Sequence, residues 1–249
     1  MAHTELIGIF QSQLKGRALP KMTHDGSVGQ WLESQFGVRA NSSATADWKG
    51  YELKTGKNKT TFGDWSADVY LWKIPNSGIN GRDEFLKTFG TQSRANRPGR
   101  YSWSGKVFPT VNTVNEYGQI MTVEPNGDIK ILYHYSRDQR NDKSKIIPSS
   151  LQRDNVVLAH WYATSLKTRV HDKFGINGWV KISSSKGMIS EMHIGPPMKY
   201  KEWLYHVKNG TIFLDSGMYY DPIKPNVRPY SNWRASNKFW ESLATHHIV

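Results

Sequence analysis

One run of residues constrains this chain more than any other: Asp47-Trp48-Lys49-Gly50-Tyr51-Glu52-Leu53-Lys54. Tyr51 to Lys54 reads as a short extended segment, and side chains along a strand alternate between its two faces. Glu52 and Lys54 therefore share one face, while Tyr51 and Leu53 share the other. Leu53 belongs in a core, so the fold must carry a carboxylate and an ammonium group on the opposite side of a core strand. Gly50 permits a tight reversal that brings Asp47 beside Glu52.

An Asp, four intervening residues, then Glu-x-Lys suits the hydrolysis of a phosphodiester. Two adjacent carboxylates offer hard oxygen ligands to Mg²⁺, which binds through one or two carboxylates plus the substrate phosphate and keeps several waters. Asp47 and Glu52 are the expected metal ligands. Such an ion polarises the scissile phosphate and lowers the pKa of a bound water. Lys54 can orient that water and stabilise charge on the pentavalent phosphate. Upstream, a helix is expected to start near Asp25 to Ser27, with Val28, Trp31, Leu32 and Phe36 on one face and Gly37 at its end. Glu33 lies on that helix as a third carboxylate for the same metal or water.

The charge balance points to the substrate. Lys plus Arg number 33 against 21 Asp plus Glu, a formal net charge of +12, which favours a polyanion through counterion release. Nucleic acid leads. The 249 residues include no cysteine, which excludes a disulfide framework or thiolate metal site and is compatible with a reducing cytoplasm. The start of the chain carries Glu5 and lacks a basic segment followed by a long apolar run, so no signal peptide is expected, and no stretch is apolar enough to span a bilayer. A soluble, cytoplasmic protein without membrane partners is expected. The nine histidines form no His-Glu-x-x-His element, and His246-His247 sits at the chain end, where fraying is expected, so zinc is not suggested.

Along the chain, helical and extended signals mix. Gly56 to Gly63 reads as a polar turn, and Ala67 to Trp72 as a strand. Arg82 to Gly105 holds Arg82, Arg94, Arg97 and Arg100 among Gly, Pro, Asn and Ser, the composition of a mobile basic loop that clamps a phosphate backbone. Gln119 to Val123 and Ile129 to Tyr135 flank an Asn126-Gly127 hairpin signal. Strands are expected at Val156 to Tyr162, Trp179 to Ile182 and Thr211 to Leu214, with helices at Lys199 to Val207 and Ser236 to Ala244. Ser183 to Lys186 contains Ser-x-x-Lys but reads as a polar loop. The class is mixed α/β, with a catalytic lobe mainly over 1–110 and a second lobe mainly over 111–249 that returns in part to the core.

The runs DGSVGQWLESQFG and ADWKGYELK, at their mutual spacing, resemble the MvaI/BcnI family of type II restriction endonucleases, relatives of the nickase MutH within the PD-(D/E)XK nucleases. The resemblance implies a mixed central sheet flanked by helices plus a DNA-recognition lobe, with Glu33, Asp47, Glu52 and Lys54 as catalytic residues and Mg²⁺ as cofactor. A looser likeness over Gly210 to Ser236 makes Asp215, Tyr219, Tyr220, Asp221, Arg228 and Arg234 candidates for DNA contacts. The residue types agree, since Arg pairs with guanine and Asp accepts from cytosine in the major groove. Lys57, Lys59, Arg94 and Arg97 are candidate phosphate contacts. The family further implies a prokaryotic monomer that cuts a short C/G-flanked site in double-stranded DNA by successive nicks, with a cognate methyltransferase in the same system. The competing expectations are a MutH-like nickase activated by partners and a basic DNA-binding protein without catalysis.

Overall fold

The computed structural model describes residues 2–21, 26–39, 45–56, 59–92, 97–105, 108–224 and 228–249. The chain forms two compact units, each assembled from separated segments. The first comprises Met1–Thr61, Lys167–Trp203 and Ala235–Val249; the second comprises Phe62–Leu166 and Leu204–Arg234. Residues 1–110, expected as one lobe, are thus shared between the two.

The first unit is built on a four-stranded mixed sheet ordered Tyr51–Thr55, Gly178–Ser185, Met188–Gly195, His246–Ile248. The first two strands run parallel, with Glu52 opposite Trp179 and Lys54 opposite Lys181. The remaining pairings are antiparallel. One face of this sheet is apolar: Tyr51, Leu53, Val180, Ile182, Met192 and Ile194 pack with Leu6, Phe10, Leu14, Leu32 and Phe36. Those five come from an N-terminal helix, Ala2–Ile9, its π-helical continuation Phe10–Leu14, and the helix Ser27–Gln35 with the residue that follows it. The alternation expected around Leu53 is present. The other face of the Tyr51–Thr55 strand is covered too, so residues 51–54 are all buried.

Two tight turns set this sheet, and both are Lys-Gly pairs. Lys49 and Gly50 have φ of 45° and 80°, and Lys186 and Gly187 have 50° and 81°. Two consecutive left-handed residues make a reversal whose twist matches that of the flanking strands. At Gly50 the requirement is double, because a Cβ would stand 2.7 Å from Ile176 Cγ2. Ser183 to Ser185 end a strand rather than lying in a loop.

The second unit holds an antiparallel sheet ordered Val69–Tyr70, Val156–Trp161, Ile129–Asp138, Tyr117–Val123 and a smaller one ordered Met218–Tyr220, Tyr101–Trp103, Thr91–Gln92. The Asn126-Gly127 hairpin forms, with Gly127 at φ 92° and its N–H donating to Glu124 O. Several local expectations need correction. The segment read as a basic loop contains the helix Arg82–Phe89, because Asp83 and Glu84 favour its first turn and Phe85, Leu86 and Phe89 are buried. The polar turn after Gly56 gives way to the strand Lys59–Asp64, which joins Phe213–Ser216 and Ser231–Ser236 in a three-stranded sheet. Only Val69–Tyr70 of the expected 67–72 strand is extended, and Leu71–Lys73 is a 3₁₀ turn. The helix Ala163–Phe174 was not expected, although Leu166, Val170 and Phe174 recur at a spacing of four and are fully buried. His247 does not fray: it pairs with His193 across the last two strands. No helix among the described residues is long and apolar enough to cross a membrane.

Candidate active site

Glu52 and Lys54 lie side by side on the covered polar face of their strand. Lys54 Nζ donates to Glu52 Oε1 at 2.7 Å, and both side chains are almost wholly buried. The Lys49-Gly50 turn folds Trp48 back onto Tyr51 through reciprocal backbone bonds of 3.0 and 2.8 Å. That reversal places Asp47 beside the strand, where its Oδ2 accepts from Leu53 N at 2.9 Å. Glu33 comes from the Ser27–Gln35 helix, which packs against this strand. All four expected catalytic side chains therefore meet on one unit.

A fifth group was missed from the sequence. Lys173, in the last turn of the Ala163–Phe174 helix, donates to Glu52 Oε1 at 2.8 Å. The same helix end carries Asp172, whose carbonyl accepts from Ala46 N at 2.9 Å and ties the Asp47 segment down. The helix also brings Phe174 to 5.5 Å from Lys54 Nζ. An amphipathic reading of 163–174 would have located a lysine at the helix end, but not its partner.

The electrostatics describe a site short of positive charge. Burial first, then the charges of Asp47 and Glu52, raises the Glu33 pKa. Burial and the charge of Glu52 likewise raise Asp47, against the smaller lowering effects of Lys54 and the Leu53 N–H. Burial lowers the Lys54 pKa, with Glu52 opposing. Glu52 Oε1 takes both lysines, while its Oε2 is buried with no hydrogen-bond partner. A buried polar oxygen left without a partner is costly, and a cation ligated by Glu52 Oε2 and Asp47 would remove that cost. The donor set fits a hard divalent ion.

The expected DNA-contacting residues divide. Lys57 and Arg94 lie outside the described residues. Lys59 is exposed on the Lys59–Asp64 strand, and Arg228 is exposed after Pro222–Lys224. Asp215 and Arg234 sit on paired strands, opposite Asn232 and Phe213 respectively, and form a diagonal ion pair of 3.0 Å. Asp221 Oδ1 accepts from Ile223 N and Lys224 N, and these bonds keep its pKa low. Its Oδ2 lies 3.9 Å from Arg97. Tyr219 and Tyr220 are joined by two cations: Arg100, one of the arginines of the basic segment, stands 4.2 Å from the Tyr219 ring centre, and Lys87, not singled out from sequence, stands 4.1 Å from that of Tyr220. In the second unit Lys87, Arg97, Arg100, Tyr219, Tyr220 and Asp221 thus gather about the Met218–Tyr220 strand, with Tyr219 and Tyr220 on its opposite faces.

The chain is similar over almost its whole length to known proteins. The family model described as LlaMI restriction endonuclease matches residues 14–248. The type II restriction enzyme ScrFI of Lactococcus lactis subsp. cremoris is 41% identical over 266 aligned positions, which cover 96% of each chain. Among solved structures, a complex of the restriction endonuclease MvaI with its cognate DNA superposes with a TM-score of 0.60 at 13% identity, covering 99% of this chain and 97% of the other. That likeness is one of fold.

Proposed function

This chain belongs to the LlaMI restriction endonuclease family and is a type II restriction endonuclease, and we propose that it cuts double-stranded DNA by Mg²⁺-dependent hydrolysis, with Glu33, Asp47, Glu52 and Lys54 as its active site. The observation that carries this reading is the unpartnered, buried Glu52 Oε2 on the strand face that Asp47 and Lys54 share. When bound, Mg²⁺ supplies Lewis acidity to the scissile phosphate and lowers the pKa of a coordinated water. Asp47 and Glu52 hold it.

The protein groups have separate tasks. Glu33 accepts a hydrogen bond from a water, orients it, and takes its proton as the water oxygen attacks. Lys54, fixed by Glu52, donates to the phosphate oxygen on which charge accumulates as the water oxygen bonds to phosphorus and the bond to the leaving sugar oxygen breaks. Its lowered pKa makes it a better proton donor to that leaving oxygen than an exposed lysine would be. Lys173 shares the load on Glu52 Oε1, which leaves Oε2 for the metal. The net charge of +12 supports a polyanionic substrate.

For recognition, the aromatic and basic surface of the second unit supports a DNA-reading role for Arg97, Tyr219, Tyr220 and Asp221, with Asp215, Arg228 and Arg234 beside them in the sequence and Lys57, Lys59 and Arg94 on phosphates. The lobes of this reading are the two units, the first catalytic and the second for recognition. The enzyme works as a monomer in a prokaryotic cytoplasm, on a short C/G-flanked site protected by a methyltransferase of the same system. The test is incubation of the protein with Mg²⁺ and a plasmid of known sequence, followed by sequencing of every end. Discrete double-strand ends at one short motif, dependent on Mg²⁺ and absent with Lys54→Ala, are expected. Single-strand nicks alone would favour a partner-activated nickase, and cutting by Lys54→Ala would remove that residue from the active site.

A further inference from the structure

The sheet that carries Glu52 and Lys54 on one edge strand carries a second set of ligand-type side chains at its other edge. Glu191 and His193 lie on the Met188–Gly195 strand, and His247 lies opposite His193 on the C-terminal strand. Two strands separate His247 from Lys54, because the order is Tyr51–Thr55, Gly178–Ser185, Met188–Gly195, His246–Ile248. At about 4.8 Å per strand spacing this is more than 10 Å, too far for one ion to serve both places.

The three side chains converge. Glu191 Oε2 stands 3.3 Å from His193 Nε2 and 3.1 Å from His247 Nε2. The two imidazoles are stacked, their centres 4.4 Å apart and their planes 8° from parallel. Among the described residues this is the group of three or more His, Asp and Glu side chains whose ligand atoms all fall within 4.8 Å of one another. Beyond the β-bulge between Ile189 and Glu191 the pairing is regular, so Glu191 and His193, two residues apart, lie on the same face of the strand.

We propose that Glu191, His193 and His247 bind a borderline divalent transition-metal ion of the Zn²⁺ class as a structural clamp on the C-terminal strand. The spacing carries the argument. Donors about 2.0–2.2 Å from a tetrahedral zinc are separated from each other by roughly 3.3 Å, close to both carboxylate-to-imidazole distances here. Two neutral imidazoles and one carboxylate suit zinc, and disfavour Mg²⁺, which prefers oxygen. His193 is buried, which shields that side of the group from water. His247 is half exposed, which leaves the fourth position to water. The neighbouring strand contributes Lys181, whose Nζ is engaged by Ser183 and Glu241 rather than by the trio. The clamp joins residue 247 to residues 191 and 193 and fastens a three-residue strand that otherwise pairs only through its edge.

The experiment uses the full chain, stripped with EDTA and then given Zn²⁺ in the presence of excess Mg²⁺, which occupies carboxylate sites. Zinc retained after gel filtration and the melting temperature with and without zinc are measured for wild type, His247→Gln and Asp47→Asn. The expected result is that His247→Gln loses about one equivalent of zinc together with the zinc-dependent rise in melting temperature. Asp47→Asn keeps both. Mg²⁺-dependent DNA cleavage by His247→Gln is unchanged, which verifies that the variant is folded. No retained zinc in wild type, or zinc retained equally by His247→Gln, overturns the clamp, as does zinc that is lost with Asp47→Asn and kept with His247→Gln.

Discussion

The two functional regions are assembled in opposite ways. In the first unit, three of the four acidic and basic groups of the proposed active site fall within Asp47 to Lys54, joined by one two-residue turn and one strand. In the second unit, the cationic and aromatic residues Lys87, Arg97, Arg100, Tyr219, Tyr220 and Asp221 are brought together by the pairing of Tyr101–Trp103 with Met218–Tyr220. Hydrolytic chemistry needs fixed sub-ångström relations, which short stretches of regular backbone provide. A surface that follows a polymer needs breadth, which comes from joining distant segments.

Substitutions can break this contrast. The largest effect is expected for Lys54→Ala: cleavage falls about 10³-fold or more while affinity for DNA is retained, measured by single-turnover cleavage beside gel-shift binding. Equal loss of binding would mean that Lys54 anchors DNA rather than serving the chemistry. Lys173→Ala is expected to lower cleavage by roughly ten- to a hundredfold and to change the Mg²⁺ concentration at half-maximal rate, in the manner of a residue that positions a metal ligand. An unaltered Mg²⁺ response would sink that role. In the other unit, Arg100→Ala should weaken DNA binding about tenfold and reduce the slope of log affinity against log salt by about 1, with cleavage of bound DNA unchanged. A loss of cleavage at saturating DNA would blur the division between the two regions.

The smallest effect is one of stability. Asp47 holds its proton to higher pH in the folded chain than in the unfolded one. The folded state therefore binds more protons from the ordinary aspartate pKa upward, and stability falls as pH rises through that window. At neutral pH without metal the carboxylate costs stability. Asp47→Asn keeps an acceptor for Leu53 N and should melt roughly 2–4 °C higher in EDTA, a difference that Mg²⁺ diminishes. A lower melting temperature in EDTA would contradict the electrostatic account of the site.

How far the sequence could be read follows from the same contrast. The alternation around Leu53 and the reversal at Gly50 were legible because they depend on backbone period and on glycine's tolerance of positive φ, whereas Glu33 was reached through the family resemblance, since its approach depends on how its helix packs on the strand. The Arg82–Phe89 helix was obscured by its arginine-bearing surroundings, although Phe85, Leu86 and Phe89 mark its buried face. At Lys59–Asp64 polar residues suggested a turn, yet the pairing partner Ser231–Ser236 lies far along the chain.

The sequence by itself determined a basic, cysteine-free, mixed α/β chain with an Asp-x4-Glu-x-Lys element whose charged members share one strand face, because charge composition and side-chain alternation are local properties. Only the tertiary structure decided that Lys173, 121 residues from Glu52, would share its carboxylate, that Arg100 would stack on Tyr219, and that His247 would stand beside His193 and Glu191. The physical reason is that strand pairing and helix packing bring together residues whose separation along the chain carries no periodic signal, and the close fit of a packed core then fixes which of them touch.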